Sequence, residues 1–91
     1  MPELFRLYGF VFFFFSHEHG PVHVHIRGNN GDARFEWDGN AFRLDSSHNI
    51  KTNDLKRIGD AIEENADIIL YRWRELFGDT DFDDDDIQDM V

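Results

Sequence analysis

The residues best suited to chemistry in this chain are its histidines, because four of the five lie within nine consecutive positions. They form two His-x-His pairs, His17 with His19 and His23 with His25. Imidazole titrates near neutral pH and is the commonest side-chain ligand of metal ions in proteins. The segment therefore indicates acid–base chemistry or metal binding, and a purely structural role is the third interpretation.

The second histidine pair lies in a segment that alternates between apolar and polar residues, from position 22 to position 27. This alternation predicts a β-strand with one buried face. Successive side chains of a strand point to opposite faces, so His23 and His25 share a face, roughly 7 Å apart at Cα. Because Val22, Val24 and Ile26 are the better core candidates, we expect both histidines on the opposite, more open face.

Metal binding is the first functional interpretation of this pair. Two histidines on one strand face form a partial ligand set, which a third ligand and a water molecule could complete. Zinc or nickel is the ion that such a site would take. Two histidines alone do not specify a metal site, so no cofactor is predicted. The candidate ligands are His17, His19, His23 and His25, with Glu18 as a further donor.

Acid–base catalysis is the second functional interpretation. Two histidines on one face can serve as general base and general acid, and a nearby cation can stabilise developing negative charge. Such a set suits cleavage of a phosphodiester through a 2′-hydroxyl. The predicted catalytic residues are His23, His25, Glu18 and Arg27, and the predicted binding residues are His19, Arg34 and Glu36.

The charge of the chain is unevenly distributed. The net charge is −10, but seven of the nineteen acidic residues follow Gly78, and the remaining body carries a net charge of −3. There is no basic cluster of the kind that marks a nucleic-acid-binding domain, which argues against tight non-specific binding. RNA remains a possible partner through a local positive face.

The composition also limits the class of protein. The longest apolar run, residues 10–15, is far shorter than the roughly 20 residues of a membrane-spanning helix. Arg6 and Glu3 precede it and no cleavage site follows, so it is not a signal peptide. There is no cysteine, which excludes a disulfide-linked partner. We therefore expect a cytoplasmic protein without a membrane partner.

The pattern along the chain predicts one α+β domain over residues 1–78. Residues 4–15 read as one strand or as two strands meeting at Gly9, and strands follow at 22–27, 32–37 and 40–45. Turn residues at 28–31 and at Asp38-Gly39 connect the last three strands. The prediction is an antiparallel meander of three to four strands, with 40–45 as a short edge strand and 46–51 as a loop.

A helical pattern follows the predicted strands. Thr52, Asn53 and Asp54 are candidate N-caps, and the apolar spacing continues to Gly78, a typical stop. One long helix is therefore predicted, with Asn65 marking a kink or a break into two helices. Residues 79–91 form an acidic tail that is predicted to be disordered.

One motif makes the chain similar to a known family. The sequence Ser16-x-Glu18-His19-x-Pro21-x-His23-Val24-His25, with later Ile62-Glu63-Glu64-Asn65, Trp73 and Phe77, resembles the small bacterial family catalogued as domain of unknown function 4160. The similarity runs from about residue 4 to residue 78, and the departure is Val22, where members commonly have a second proline. The family's marked positions correspond to Glu18, His19, His23 and His25.

The resemblance implies a function only in outline. Members are mostly uncharacterised and are suspected to be toxin-like halves of toxin–antitoxin pairs, which implies a small protein partner. The leading hypothesis is therefore a toxin-like domain that cleaves or interferes with RNA. The alternatives are a non-enzymatic protein-interaction module and a histidine-based metal-binding protein.

Overall fold

The computed structural model describes residues 2–78, which have an α+β architecture. Its five strands form a single antiparallel sheet in chain order, and two helices follow. The elements are β1 Glu3–Leu7, β2 Phe10–Phe13, β3 His23–Arg27, β4 Asp32–Trp37, β5 Phe42–His48, α1 Thr52–Glu64 and α2 Ala66–Phe77.

The sheet has one strand more than the predicted three to four. Tyr8 and Gly9 adopt φ values of 57° and 80°, which reverse the chain and divide the aromatic segment into β1 and β2. The alternative of two strands meeting at Gly9 is thus confirmed. A glycine is favoured at such a position because it lacks the Cβ that makes positive φ costly.

The last strand, β5, is longer than predicted. It continues through Ser46, Ser47 and His48, which were expected to form a loop. These residues have weak strand propensity, but they pair with Asp32, Ala33 and Arg34 of β4. Pairing across the sheet therefore overrides local preference at this edge.

The helical region is divided, so the prediction of one long helix is wrong and the break at Asn65 is confirmed. Asn65 has φ −111° and ψ 17°, and its side-chain amide donates to the Ala61 carbonyl at 2.8 Å. The start of α1 also differs from the prediction. Lys51 is the N-cap and makes no side-chain capping bond, while Thr52 is already helical.

The core lies between the helices and one face of the sheet. Phe12, Val24, Ile26 and Phe35 are buried there against apolar residues of both helices, which include Ile58, Ile62, Ile69 and Trp73. This confirms the predicted buried face of β3. Since strand side chains alternate, His25 lies on the opposite face of the sheet.

The acidic tail predicted for residues 79–91 lies outside the described residues. Within residues 2–78, neither helix has the length and apolar character needed to cross a membrane.

Candidate functional site

The strand register brings the candidate residues of β3 and β4 together on the face of the sheet opposite Val24 and Ile26. His25 is opposite Arg34 on β4 and Phe13 on β2, and His23 is opposite Glu36. Directly opposed residues in an antiparallel pair have Cβ atoms about 4.5–5.5 Å apart. The register thus places both predicted β4 residues next to the histidine pair.

Glu18 joins the two histidines. Its Oε1 lies 2.8 Å from His23 Nε2, and its Oε2 lies 2.9 Å from His25 Nε2. The Phe15 amide also donates to Oε2 at 2.9 Å. Glu18 belongs to the connection between β2 and β3, so these bonds tie that connection to the sheet. We call Glu18, His23 and His25 the carboxylate–histidine cluster.

His23 is held through both of its ring nitrogens. Its Nδ1 lies 2.8 Å from the Pro21 carbonyl oxygen, which only accepts hydrogen bonds, so Nδ1 is the donor of that contact. Its Nε2 lies 2.8 Å from Glu18 Oε1. One contact on each side of the ring therefore fixes its orientation.

His23 is buried, which corrects the prediction that both histidines lie on an open face. Its exposed fraction is 3%, whereas the His25 side chain is 16% exposed. The indole ring of Trp73, from α2, lies 5.2 Å from the His23 ring. The Glu18 side chain contacts His23 from the connection between β2 and β3. The alternation located the face correctly, but it carried no information about the segments that cover it.

Burial and the contacts within the cluster shift the pKa values of Glu18 and His25. Burial acts to raise the pKa of Glu18, but the Phe15 amide and the two histidines outweigh it and lower that pKa. Burial lowers the pKa of His25; Glu18 opposes this shift, and His23 and Arg34 add to it. Glu18 is therefore a carboxylate and His25 a neutral imidazole at neutral pH.

A pocket of about 260 Å³ opens on the same face beside His25. Phe13 and Phe15 form its aromatic wall, with the Phe15 ring 4.4 Å from the His25 ring. We call it the arginine pocket because two guanidinium groups line it. Its remaining lining residues are Ile26, Arg27, Asp32, Ala33, Arg34 and Ser46.

The two arginines are held in different ways. The Arg27 guanidinium lies over the Phe13 ring at 5.0 Å, a cation–π contact. Arg34 Nε lies 3.2 Å from Asp45 Oδ2, an ion pair without the alignment of a hydrogen bond. Both guanidinium groups border the pocket, where they outnumber the single carboxylate of Asp32.

The remaining predicted residues do not belong to the carboxylate–histidine cluster. His17 and His19 are exposed and do not belong to the carboxylate–histidine cluster. Glu36 is opposite His23 in register but is not a member of the cluster either. Of the residues suggested to complete a three-ligand set, Glu18 is the one that lies next to the pair.

Sequence reasoning missed three contributors. Phe13 and Phe15 line the pocket although neither was predicted as a site residue, and the Pro21 carbonyl fixes the orientation of His23. A signal for the two phenylalanines was present, because an uninterrupted apolar strand must place some apolar side chains on each face of the sheet. The carbonyl contact depends on the path of the connection and has no sequence signal.

The arrangement supports two kinds of chemistry. His25 donates from Nε2 to a carboxylate, so the neutral ring has its lone pair on Nδ1, where it can accept a proton. The ring nitrogens and the carboxylate of the cluster also form a set that can hold a metal ion.

Comparison with known proteins gives a family but no characterised relative. Neither a curated protein nor a solved structure matches the chain significantly. The family described as a domain of unknown function (DUF4160) matches residues 9–74, more than half of the chain, including all of the carboxylate–histidine cluster and the arginine pocket. The chain is therefore a member of the DUF4160 family.

Proposed function

We propose that the chain binds single-stranded RNA in the arginine pocket and cleaves it with His25 as the general base. The observation that carries this proposal is the composition of one pocket: a neutral histidine, two guanidinium groups and an exposed phenyl ring. General bases, phosphate-binding cations and a stacking surface are the parts that cleavage through a 2′-hydroxyl needs.

The chemical step begins at His25. Nδ1 accepts the proton of a ribose 2′-hydroxyl, and the 2′-oxygen forms a bond to the adjacent phosphorus. The bond from phosphorus to the 5′-oxygen breaks, and that oxygen takes a proton from a water molecule. The resulting hydroxide takes the proton that Nδ1 had accepted, which returns His25 to its neutral form. The products are a 2′,3′-cyclic phosphate and a 5′-hydroxyl, so atoms and charges balance without a redox partner.

The arginines supply the phosphate contacts. Arg34 uses Nε for its ion pair with Asp45, which leaves the Nη edge of its guanidinium for the ligand. Arg27 adds a second positive charge from the neighbouring strand. Guanidinium groups match the geometry of phosphate oxygens, and their charge stabilises the additional negative charge of the transition state.

The aromatic wall supports a single-stranded substrate. The Phe15 side chain is 44% exposed, although it borders the pocket and contacts His25. Stacking of a base on an aromatic ring contributes about 1–3 kcal/mol and requires an unpaired base. Small-molecule sites measure about 300–1,000 Å³, and this pocket, at about 260 Å³, lies just below that range, so we expect it to take no more than a single nucleotide unit.

Glu18 has a positioning role in this proposal. Its Oε2 accepts the Nε2 proton of His25 at 2.9 Å, which fixes both the orientation of the ring and the tautomer that leaves Nδ1 basic. A carboxylate that orients a histidine in this way is a recurring part of acid–base sites.

The biological setting we propose is a toxin–antitoxin-type pair in which this domain is the toxin-like component. Its activity on RNA would slow growth, and a small protein partner that covers the arginine pocket would relieve the effect. Growth of cells that express the wild-type chain, compared with cells that express His25→Ala, tests this setting. Equal growth of the two strains would contradict it.

The test of the activity uses a short RNA with a fluorophore and a quencher at its ends. We expect the wild-type chain to cleave it and His25→Ala to lose about 100-fold or more of the rate, the usual contribution of a general base. His17→Ala is the matched control, because His17 is exposed and outside the site. Absence of cleavage by the wild-type chain, or full activity of His25→Ala, would refute the proposal.

A further inference from the structure

We infer that the carboxylate–histidine cluster is a binding site for a divalent transition-metal ion of the zinc class. Glu18, His23 and His25 each present one ligand atom, and these atoms all lie within 4.8 Å of one another. Two imidazole nitrogens and one carboxylate oxygen form a recurrent protein ligand set for such ions. The inference does not depend on the proposed activity toward RNA.

The orientation of His23 supports the site. Its Nδ1 donates to the Pro21 carbonyl at 2.8 Å, and its Nε2 is directed toward Glu18. Metal-binding histidines typically donate their second ring N–H to a carbonyl or a carboxylate, which fixes the ring for coordination. The bond to Pro21 therefore already holds His23 as a ligand through Nε2.

An ion would take the place of the direct contact between His23 and Glu18. His23 Nε2 lies 2.8 Å from Glu18 Oε1, and both atoms must be free of protons to coordinate a metal ion. The carboxylate would then face a divalent cation in a site where the Glu18 side chain is only 10% exposed.

The distances require an adjustment of the side chains. A tetrahedral ion with bonds of about 2.0–2.1 Å separates its ligand atoms by roughly 3.3–3.4 Å. The two contacts from Glu18 measure 2.8 and 2.9 Å, so each of these pairs must separate by about half an ångström, and any pair of ligand atoms near the 4.8 Å limit of the cluster must close. Glu18 lies in a connection between strands, which can make this movement while the two histidines stay on β3.

The donor set also selects the class of ion. Mg²⁺ and Ca²⁺ prefer oxygen ligands, whereas imidazole favours Zn²⁺, Ni²⁺ and related ions. With three protein ligands, one coordination position remains for water. His25 is the most exposed of the three, with 16% of its side chain accessible, so the open position is expected on the side of the arginine pocket.

The test follows the imidazole nitrogens of the full-length, ¹⁵N-labelled chain by NMR during addition of Zn²⁺. We expect the Nε2 signals of His23 and His25 to change and to saturate at one ion per chain, while the signals of His17 and His19 stay constant. Shifts confined to His17 and His19, or no saturable change, would overturn the inference.

Calorimetry with two variants gives an independent readout. Loss of one ligand in His25→Ala should weaken Zn²⁺ binding by at least about 100-fold, since even residues that only support ligands contribute 10–100-fold. His17→Ala is the control and should bind like the wild-type chain. Glu18→Gln removes the charge of the side chain with little change in its shape. Unchanged Zn²⁺ affinity in both Glu18→Gln and His25→Ala would place the ion elsewhere and overturn the inference.

The metal site and the cleavage of RNA can be tested separately, because the Zn²⁺ measurements use no RNA. If both hold, Zn²⁺ should inhibit cleavage: a neutral imidazole bound through Nε2 carries its proton on Nδ1, which removes the proposed base. Saturable Zn²⁺ binding in a chain that never cleaves RNA would support the metal site and refute the activity alone.

Discussion

Glu18 Oε2 and His25 Nε2 are 2.9 Å apart, and this bond joins the connection between β2 and β3 to the face of the sheet opposite the helices. The same carboxylate contacts His23, whose side chain is 4% exposed. One acidic residue thereby contacts both histidines.

The first prediction concerns the contribution of Glu18 to folding. Glu18→Ala leaves Nε2 of the buried His23 and Nε2 of His25 without their hydrogen-bond partner, and each buried polar group left unsatisfied costs about 1–3 kcal/mol. We expect a loss of this order in the free energy of unfolding, measured by urea denaturation. The control is Glu64→Ala on an exposed position of α1, which should change stability little. Equal effects of the two substitutions would contradict the account.

The second prediction concerns stability as a function of pH. His25 has a pKa lowered from 6.5, and Glu18 has a pKa lowered from 4.5. In both cases the unfolded chain binds protons more readily than the folded chain, so acidification favours unfolding. The contribution of His25 is complete above pH 6.5 and is lost as the pH falls through its folded value; that of Glu18 is lost in the same way below pH 4.5.

Urea denaturation at a series of pH values measures this dependence. We expect the free energy of unfolding to decline below pH 6.5, and the decline between pH 6.5 and 5 to be smaller in His25→Gln. A wild-type chain that becomes more stable over this range would contradict the assigned direction of the His25 shift.

The third prediction concerns Trp73, which covers His23. Trp73 is fully buried and contacts His23, Phe14 and Phe77. Trp73→Ala should reduce the free energy of unfolding by about 3–5 kcal/mol, the usual cost of deleting a large buried ring. Trp73→Phe should cost much less, because it keeps a ring and removes an indole N–H that has no partner within residues 2–78. Similar losses in the two variants, measured by urea denaturation, would contradict this packing account.

The fourth prediction concerns the arginine pocket. Arg34→Ala should weaken binding of a fluorescently labelled single-stranded RNA by about 10-fold or more, because charge-assisted contacts to phosphate contribute about 1.5–3 kcal/mol. The measurement is fluorescence anisotropy at fixed salt. Arg43→Ala is the matched control, since Arg43 is an exposed arginine of β5 that pairs with Asp38 outside the pocket. Equal weakening by both variants would indicate general charge attraction and contradict a specific pocket.

Much of the fold was predictable from local patterns. The alternation around His23 and His25 identified the buried row of β3, and Gly9 and Asn65 marked two of the places where the chain changes direction. The extension of β5 through His48 was not predictable, because its polar residues become a strand only through pairing with β4. Local preference determines turns and faces, whereas pairing determines how far an edge strand continues.

The candidate site was predictable only in part. Residue types and strand spacing selected His23 and His25, and the resemblance added Glu18. The bridging contacts of Glu18 depend on the Phe15 amide and on the path of the connection, and the burial of His23 depends on Trp73, fifty residues further along the chain. Such contacts between distant segments leave no periodic signal in a single sequence.

The central claim is that the chain cleaves RNA through the 2′-hydroxyl, and the identity of the products tests it most directly. Mass spectrometry should detect a 2′,3′-cyclic phosphate and a 5′-hydroxyl after incubation of the wild-type chain with an RNA oligonucleotide. Replacement of the 2′-hydroxyl by hydrogen at the cleaved nucleotide should abolish the reaction at that position. Cleavage of the deoxy-substituted position, or products with a 5′-phosphate, would contradict the account.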